Sequence, residues 1–207
     1  MLCRGKTGGE TAMHGLVNRS IQRFVSDTYG TAQWHTVTRL AGLDFTEFEA
    51  MLEYQQTHTP ALLDAIATTL NRSRASVMED IGTYLVTHPD FEAVRRLLRF
   101  VGVDFVDFLH SLDDMRDRAR LAVPELGLPA LELHAHPDQT YSLQCYSDIK
   151  GYGHVMMGVM RVMADDYGAL ALFDHTGQHN GAEVVSITLV AVDFAEGRSF
   201  ELGRVTG

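Results

Sequence analysis

Cationic residues are in the minority: 17 Lys and Arg stand against 27 Asp and Glu, for a formal net charge of -10 and a pI near 5.4. A sequence-independent nucleic-acid binder needs the opposite balance to neutralise phosphates, so no nucleic acid is expected as a partner, and an anionic membrane is disfavoured for the same reason. Cysteine is nearly absent. With only Cys3 and Cys145, one chain can build neither a disulfide framework nor a four-thiolate metal site, and a reducing cytoplasm fits. No apolar run reaches the roughly 18 residues of a membrane span, and residues 1–12 have no apolar core of a signal peptide. A soluble, cytoplasmic chain is the expectation.

Motifs of catalysis are missing as well. The sequence has no phosphate-cradling Gly-x-x-x-x-Gly-Lys, no Gly-x-Ser-x-Gly elbow and no His-Glu-x-x-His. Its adjacent acid pairs, Asp113-Asp114 and Asp165-Asp166, fall in helical segments where neighbours point in different directions, so they make poor acid/base dyads. Cys145 sits in an alternating strand pattern, where a cysteine is more often buried and inert than nucleophilic. An enzyme is not expected.

What is present is a 207-residue chain, 45% hydrophobic, long enough for one well-buried domain over 13–197, with 1–12 read as a disordered leader and 198–207 as a tail. Leu16, Val17, Ile21, Phe24 and Val25 recur at helical spacing and Gly30 ends the stripe. Further helices are predicted over Ala32 to Leu40 and Phe45 to Tyr54, then from a Thr59-Pro60 start through Leu70, and over Ser76 to Val86. A helix capped by Asp90 would bury Phe91, Val94, Leu97 and Leu98, and a longer one begins near Asp104 with Phe105, Phe108, Leu109 and Leu112. Seven helices therefore precede any strand. From Pro129 the period changes to two: Leu131 and Leu133, then Tyr141, Leu143 and Cys145, mark two antiparallel strands around His136-Pro137-Asp138. A helix over Tyr152 to Tyr167 follows, and strands at Leu170 to Phe173 and Val184 to Val192 flank a turn-rich HTGQHNG. This order is α+β, with a helical lobe over 13–75 and an α+β lobe over 76–197.

The segments MHGLVNRSIQRFVSDTYG, EDIGTYLV, DFVDFLHSLDDM and YSDIKGYGHVMMGVM, in that order, resemble the H-NOX (heme nitric oxide/oxygen-binding) family, especially its soluble guanylate cyclase branch, over roughly Met13 to Val192. The resemblance implies the H-NOX fold, with an N-terminal helical lobe and a C-terminal lobe in which long helices face a four-stranded antiparallel sheet. It also implies heme-based nitric oxide sensing in signal transduction. Implied partners are a cyclase, a diguanylate cyclase or a histidine kinase.

In that family a histidine on a long helix ligates the iron and a Tyr-x-Ser-x-Arg motif holds the propionates. Counting along SLDDM, with Pro129 matching a proline set against the heme, puts Arg116 at the ligand position and Cys145, Ser147 and Ile149 at the motif, so only the serine survives. A guanidinium has no lone pair to donate and stays protonated, so Arg116 cannot bind iron. Ile149 offers no bidentate partner to a carboxylate. The former heme pocket, with Leu112, Met115 and Val155 completing its expected lining, is therefore expected to hold heme weakly or not at all. The domain would then take another small apolar or anionic ligand or serve as an interaction module. The alternative is a heme-binding sensor with an unconventional ligand, His110 or His154. His110 lies six residues before Arg116, about 120 degrees away around a continuous helix.

Arg116 itself has two readings. It belongs to a solvated charged face with Asp113, Asp114 to Arg118 and Asp117 to Arg120 at helical pair spacings. Otherwise it projects into the old cavity and meets a buried carboxylate or an anionic ligand. His134 with His136, and His175 with His179, are weak candidates for zinc. Certain bacterial family members carry a Cys/His zinc cluster in the turn that HTGQHN resembles, but Asn180 stands where they have a cysteine. No metal is expected there.

Overall fold

The computed structural model describes residues 12–122 and 128–197. The predicted tail, and all of the leader but its last residue, lie outside them. Two compact units result, residues 12–74 and residues 75–122 with 128–197. No helix among the described residues is long and apolar enough to cross a membrane.

The first unit is built on three helices, α1 (Gly15–Tyr29), α2 (Thr31–Leu40) and α3 (His58–Leu70). Each buries the stripe its spacing marks: Ile21, Phe24 and Val25 from α1, Trp34 and Val37 from α2, Leu62, Leu63 and Ile66 from α3. The helix expected over 45–54 is absent. That segment is a loop ending in β2 (Glu53–Gln55), which pairs antiparallel with β1 (Ala12–His14). Its backbone is satisfied by side chains from the neighbouring helices. Gln22 Oε1 accepts from Phe48 N at 2.9 Å, Arg19 donates to Phe48 O at 2.8 Å, and Trp34 Nε1 donates to Thr46 O at 2.6 Å. Two short strands thus precede the last helices, against the expectation. Thr59 does not cap α3 either, because its hydroxyl donates to the buried Asn18 Oδ1 at 2.7 Å.

The second unit begins with α4 (Arg74–Thr87), whose first residue closes the first unit; a short 3-10 turn (Pro89–Phe91) and α5 (Glu92–Arg99) follow. The Asp90 cap expected for α5 is replaced by His88, whose Nδ1 accepts from Asp90 N at 3.3 Å and caps the 3-10 turn. Helix α5 is turned over relative to its apolar pattern. Val94, Leu97 and Phe100 are 41%, 52% and 64% exposed, whereas Arg95, Leu98 and Arg99 face the fold. The inversion is stabilised by polar contacts: Arg95 holds the buried Asp166 through two hydrogen bonds, and Arg99 lies 3.7 Å above the Tyr167 ring.

Next come α6 (Phe105–His110) and α7 (Met115–Ala122), two helices where one was expected. The sheet has strands β3 (Ala130–His136), β4 (Thr140–Tyr146), β5 (Leu170–His179) and β6 (Ala182–Ala191), all antiparallel, in the order β3-β4-β6-β5. Helix α8 (Tyr152–Tyr167) connects β4 to β5 with the predicted bounds and packs on the sheet. Tyr141, Leu143 and Cys145 face inward as alternation requires, and meet Val185, Ile187, Met156, Met160, Phe105, Phe108 and Leu109 in one core. The HTGQH part of the expected turn is strand. Only Asn180 and Gly181 turn the chain, with φ of 50° and 86°, the conformation that closes a two-residue hairpin.

Candidate functional site around Arg116

Residues 111–114 separate α6 from α7, and long-range contacts hold the break open. Leu112 is drawn into the core, Asp113 Oδ1 accepts from the Leu133 N–H of β3 at 2.6 Å, and the Arg118 guanidinium donates to the Ser111 carbonyl. The rotation that related His110 to Arg116 on one helix therefore does not apply. His110 is exposed at the end of α6, its ring edge-on to Tyr141 at 6.2 Å.

Arg116 lies half-buried in α7 and lines a solvent-open groove of about 530 Å³ between α7 and the outer strand β3. Asp113, Asp117 and Arg120 form the helical wall, and residues 130–134 form the other. Its Nε is enclosed and has no hydrogen-bond partner among the described residues. Of the charged-face pairs expected on this helix, Asp117 and Arg120 approach to 3.9 Å. Arg118 reaches Ser111 instead of Asp114, and Asp113 is engaged by Leu133. The carboxylates around the groove are exposed, so the expectation that Arg116 meets a buried carboxylate does not hold among the described residues.

The other expected pocket residues are dispersed. Leu112 and Met115 pack into the core, and Pro129 is half-buried just before β3. Cys145, 1% exposed, pairs across the sheet with the groove residue Leu131 on one side and Glu183 on the other. Burial, helped by the Glu183 charge, pushes its thiol up to about 12, so it is neither nucleophile nor thiolate ligand near neutrality. Ser147 Oγ accepts from Ile149 N at 3.0 Å in the turn that leads to α8. Val155 packs against α4, where a Cβ on Gly82 would lie 2.0 Å from its carbonyl oxygen.

A cluster that the sequence did not disclose sits at the start of α8. The rings of His154 and His175 stack at 4.3 Å with 19° between their planes, and His175 Nε2 lies 3.2 Å from Glu183 Oε2. Glu183 also accepts from the Gly151 and Gly153 amides at 2.5 and 2.9 Å. The signal was a glutamate in phase with the inward-facing Val185, Ile187 and Leu189 of β6. Among the described residues, neither these histidines nor His110, His134, His136 and His179 belong to a set of three ligand atoms gathered within 4.8 Å. His136 instead meets Ser142 Oγ at 2.7 Å, and His134 approaches Glu132 at 4.0 Å.

The fold is found in solved H-NOX structures. The unliganded Fe(II) H-NOX protein from K. algicida has a TM-score of 0.73 at 14% identity, covering 91% of this chain and 100% of that one. The S. oneidensis H-NOX protein in the Fe(II) ligation state, as a triple mutant, gives 0.72 at 16% identity, covering 87% and 97%. Soluble guanylate cyclase 89Da of Drosophila melanogaster is 22% identical over 160 residues, and soluble guanylate cyclase gcy-32 of Caenorhabditis elegans is 26% identical over 155. These alignments cover 77% and 73% of the chain but only 24% and 23% of the two relatives, so the chain spans about a quarter of their length. The model of the haem-NO-binding family matches residues 14–171, and the chain belongs to that family, the H-NOX domains.

Proposed function

We propose that this chain is a heme-free regulatory domain of the H-NOX family, which acts through contacts with a signalling partner rather than through iron, and is not itself catalytic. The observation that carries this reading is Arg116. At the position the family resemblance gives to the iron ligand stands an acceptor-free cation, and its helix opens onto a polar groove. The other residues that the family resemblance assigns to the heme do not fit it either. Cys145 is a protonated thiol inside the core, Ser147 is spent on a turn, and Ile149 has no group for a propionate. His110 is exposed at the end of α6 and His154 is stacked on His175, so no observation favours either as a substitute ligand.

The groove has charges of both signs, Arg116 and Arg120 beside Asp113, Asp117 and Glu132, and it is open to solvent. Such a surface suits the polar rim of a protein contact better than an enclosed apolar small molecule. The relatives named as guanylate cyclases make a cyclase the first partner to try, with a diguanylate cyclase or a histidine kinase as the other classes. The test is to express the chain with heme precursor, reconstitute it with hemin and record its absorbance. No stoichiometric Soret band is expected. One heme per chain, with a Soret band that shifts on nitric oxide, would overturn the proposal.

A further inference from the structure

Helix α8 begins on a glycine-flanked turn, and what holds that turn comes from other elements. Gly151 and Gly153 donate their amides to the two oxygens of Glu183 on β6. A carboxylate there satisfies backbone donors that no helical carbonyl can reach, and its charge lies at the favourable end of the helix dipole. Glu183 in turn receives His175 of β5 at 3.2 Å, and His154 of α8 covers the His175 ring face to face. Side chains of His175 and Glu183 are only 19% and 8% exposed, so water screens their interactions poorly.

We infer that the His154–His175 stack is an acid-sensitive latch on the start of α8. His175 faces the Glu183 carboxylate, whereas His154 has no carboxylate of its own among the described residues. Protonation of both imidazoles sets two parallel cations 4.3 Å apart in a half-buried site, and the rings must separate. His154, the ring without a carboxylate partner, swings out, and because it stands in the first turn of α8 its departure pulls on the backbone that Glu183 holds through the Gly151 and Gly153 amides.

The charges acting on His154 come from β5 and β6, namely His175 and Glu183, and those acting on Glu183 come from His175. From β4, Cys145 feels the Glu183 charge but stays protonated, and Tyr152 on α8 is a half-buried phenol held neutral by desolvation. Neither titrates with the imidazoles. Burial, and then the His175 charge, keep His154 below the ordinary imidazole value against the opposing pull of Glu183, which agrees with the stacking geometry.

The experiment is a pH titration of the chelator-treated full chain, with imidazole ring shifts and the hydrogen exchange of the Gly151 and Gly153 amides read by nuclear magnetic resonance. Protection of both amides should fall in step with protonation of His154. In His175→Gln, which keeps a donor toward Glu183, the His154 midpoint should rise. His154→Gln should keep the amides protected at neutral pH and remove the step. Amide protection indifferent to His154 protonation, or a His154 midpoint unchanged in His175→Gln, would overturn the inference. Should His175→Gln fail to fold, the His154→Gln arm decides alone, and a persisting step overturns it.

Discussion

Arg95 on α5 grips Asp166 on α8 through two parallel hydrogen bonds, Nε to Oδ2 at 2.6 Å and Nη2 to Oδ1, with the Asp166 side chain only 3% exposed. This fork turns α5 over, seating Arg95 and Arg99 inward and leaving Val94 and Leu97 in water. Removing one partner takes the fork away from a buried charge, which costs more than the pair contributes. Arg95→Ala is therefore expected to lower unfolding free energy by about 3 kcal/mol in urea denaturation. The double variant with Asp166→Asn should lose clearly less than the sum of the two single changes, because the second removes the charge stranded by the first.

The crossing of α4 and α8 depends on two glycines. A Cβ on Gly158 would stand 2.1 Å from the Glu79 carbonyl oxygen, and one on Gly82 would stand 2.0 Å from that of Val155. Both neighbours are backbone and cannot swing away. Gly158→Ala should destabilise by about 1–3 kcal/mol through overpacking, even though alanine is the better helix former. The thermal midpoint will show it, and an unchanged midpoint would mean that the helices are free to separate at this point.

Glu183 sets the acid limb of stability. Burial pushes its carboxyl upward, but hydrogen bonds from Gly151, Gly153 and His175 outweigh burial and hold it below its ordinary value. A carboxyl depressed in the folded state contributes stability above its unfolded pKa and loses it as the pH falls through the folded one. Urea midpoints of the parent should therefore fall on acidification through the carboxylate range. Glu183→Gln should start from a lower midpoint at neutral pH and flatten that part of the profile.

Arg116 pairs with no carboxylate among the described residues, and its Nε is enclosed without a partner. Its removal should cost the fold little. Arg116→Gln is expected to change stability by no more than about 0.5 kcal/mol, the range of substitutions that break no network. If the groove is the partner contact, the same change should weaken binding to the cognate enzyme in a pull-down or by calorimetry while the thermal midpoint stays put.

Much of the architecture can be read from local pattern. The stripes of α1, α2 and α8 and the alternation of β4 place those elements, since each buries one face and period alone says which. Segment 45–54 misleads because Phe45 and Phe48 sit at helical spacing yet lie against Tyr54, tilted and edge-on, in an aromatic cluster, while Gln22, Arg19 and Trp34 supply the loop with hydrogen bonds from afar. Helix α5 reads inside out because the partner of Arg95 stands 71 positions later. At the site, the chemistry of Arg116 is legible from its identity, but the groove is not. It exists because Asp113 and Arg118 hold the chain broken at 111–114, and no helical periodicity encodes a pairing with Leu133, 20 positions downstream.

That pairing also bears on solubility. Strand β3 ends the sheet, and an unpaired margin of amides and carbonyls is a template on which another chain's strand can grow into an aggregate. By filling the hydrogen-bonding position of Leu133 with a charged side chain, Asp113 blunts that margin midway along its length. The acid that shapes the groove thereby also guards the molecule against polymerising edge to edge.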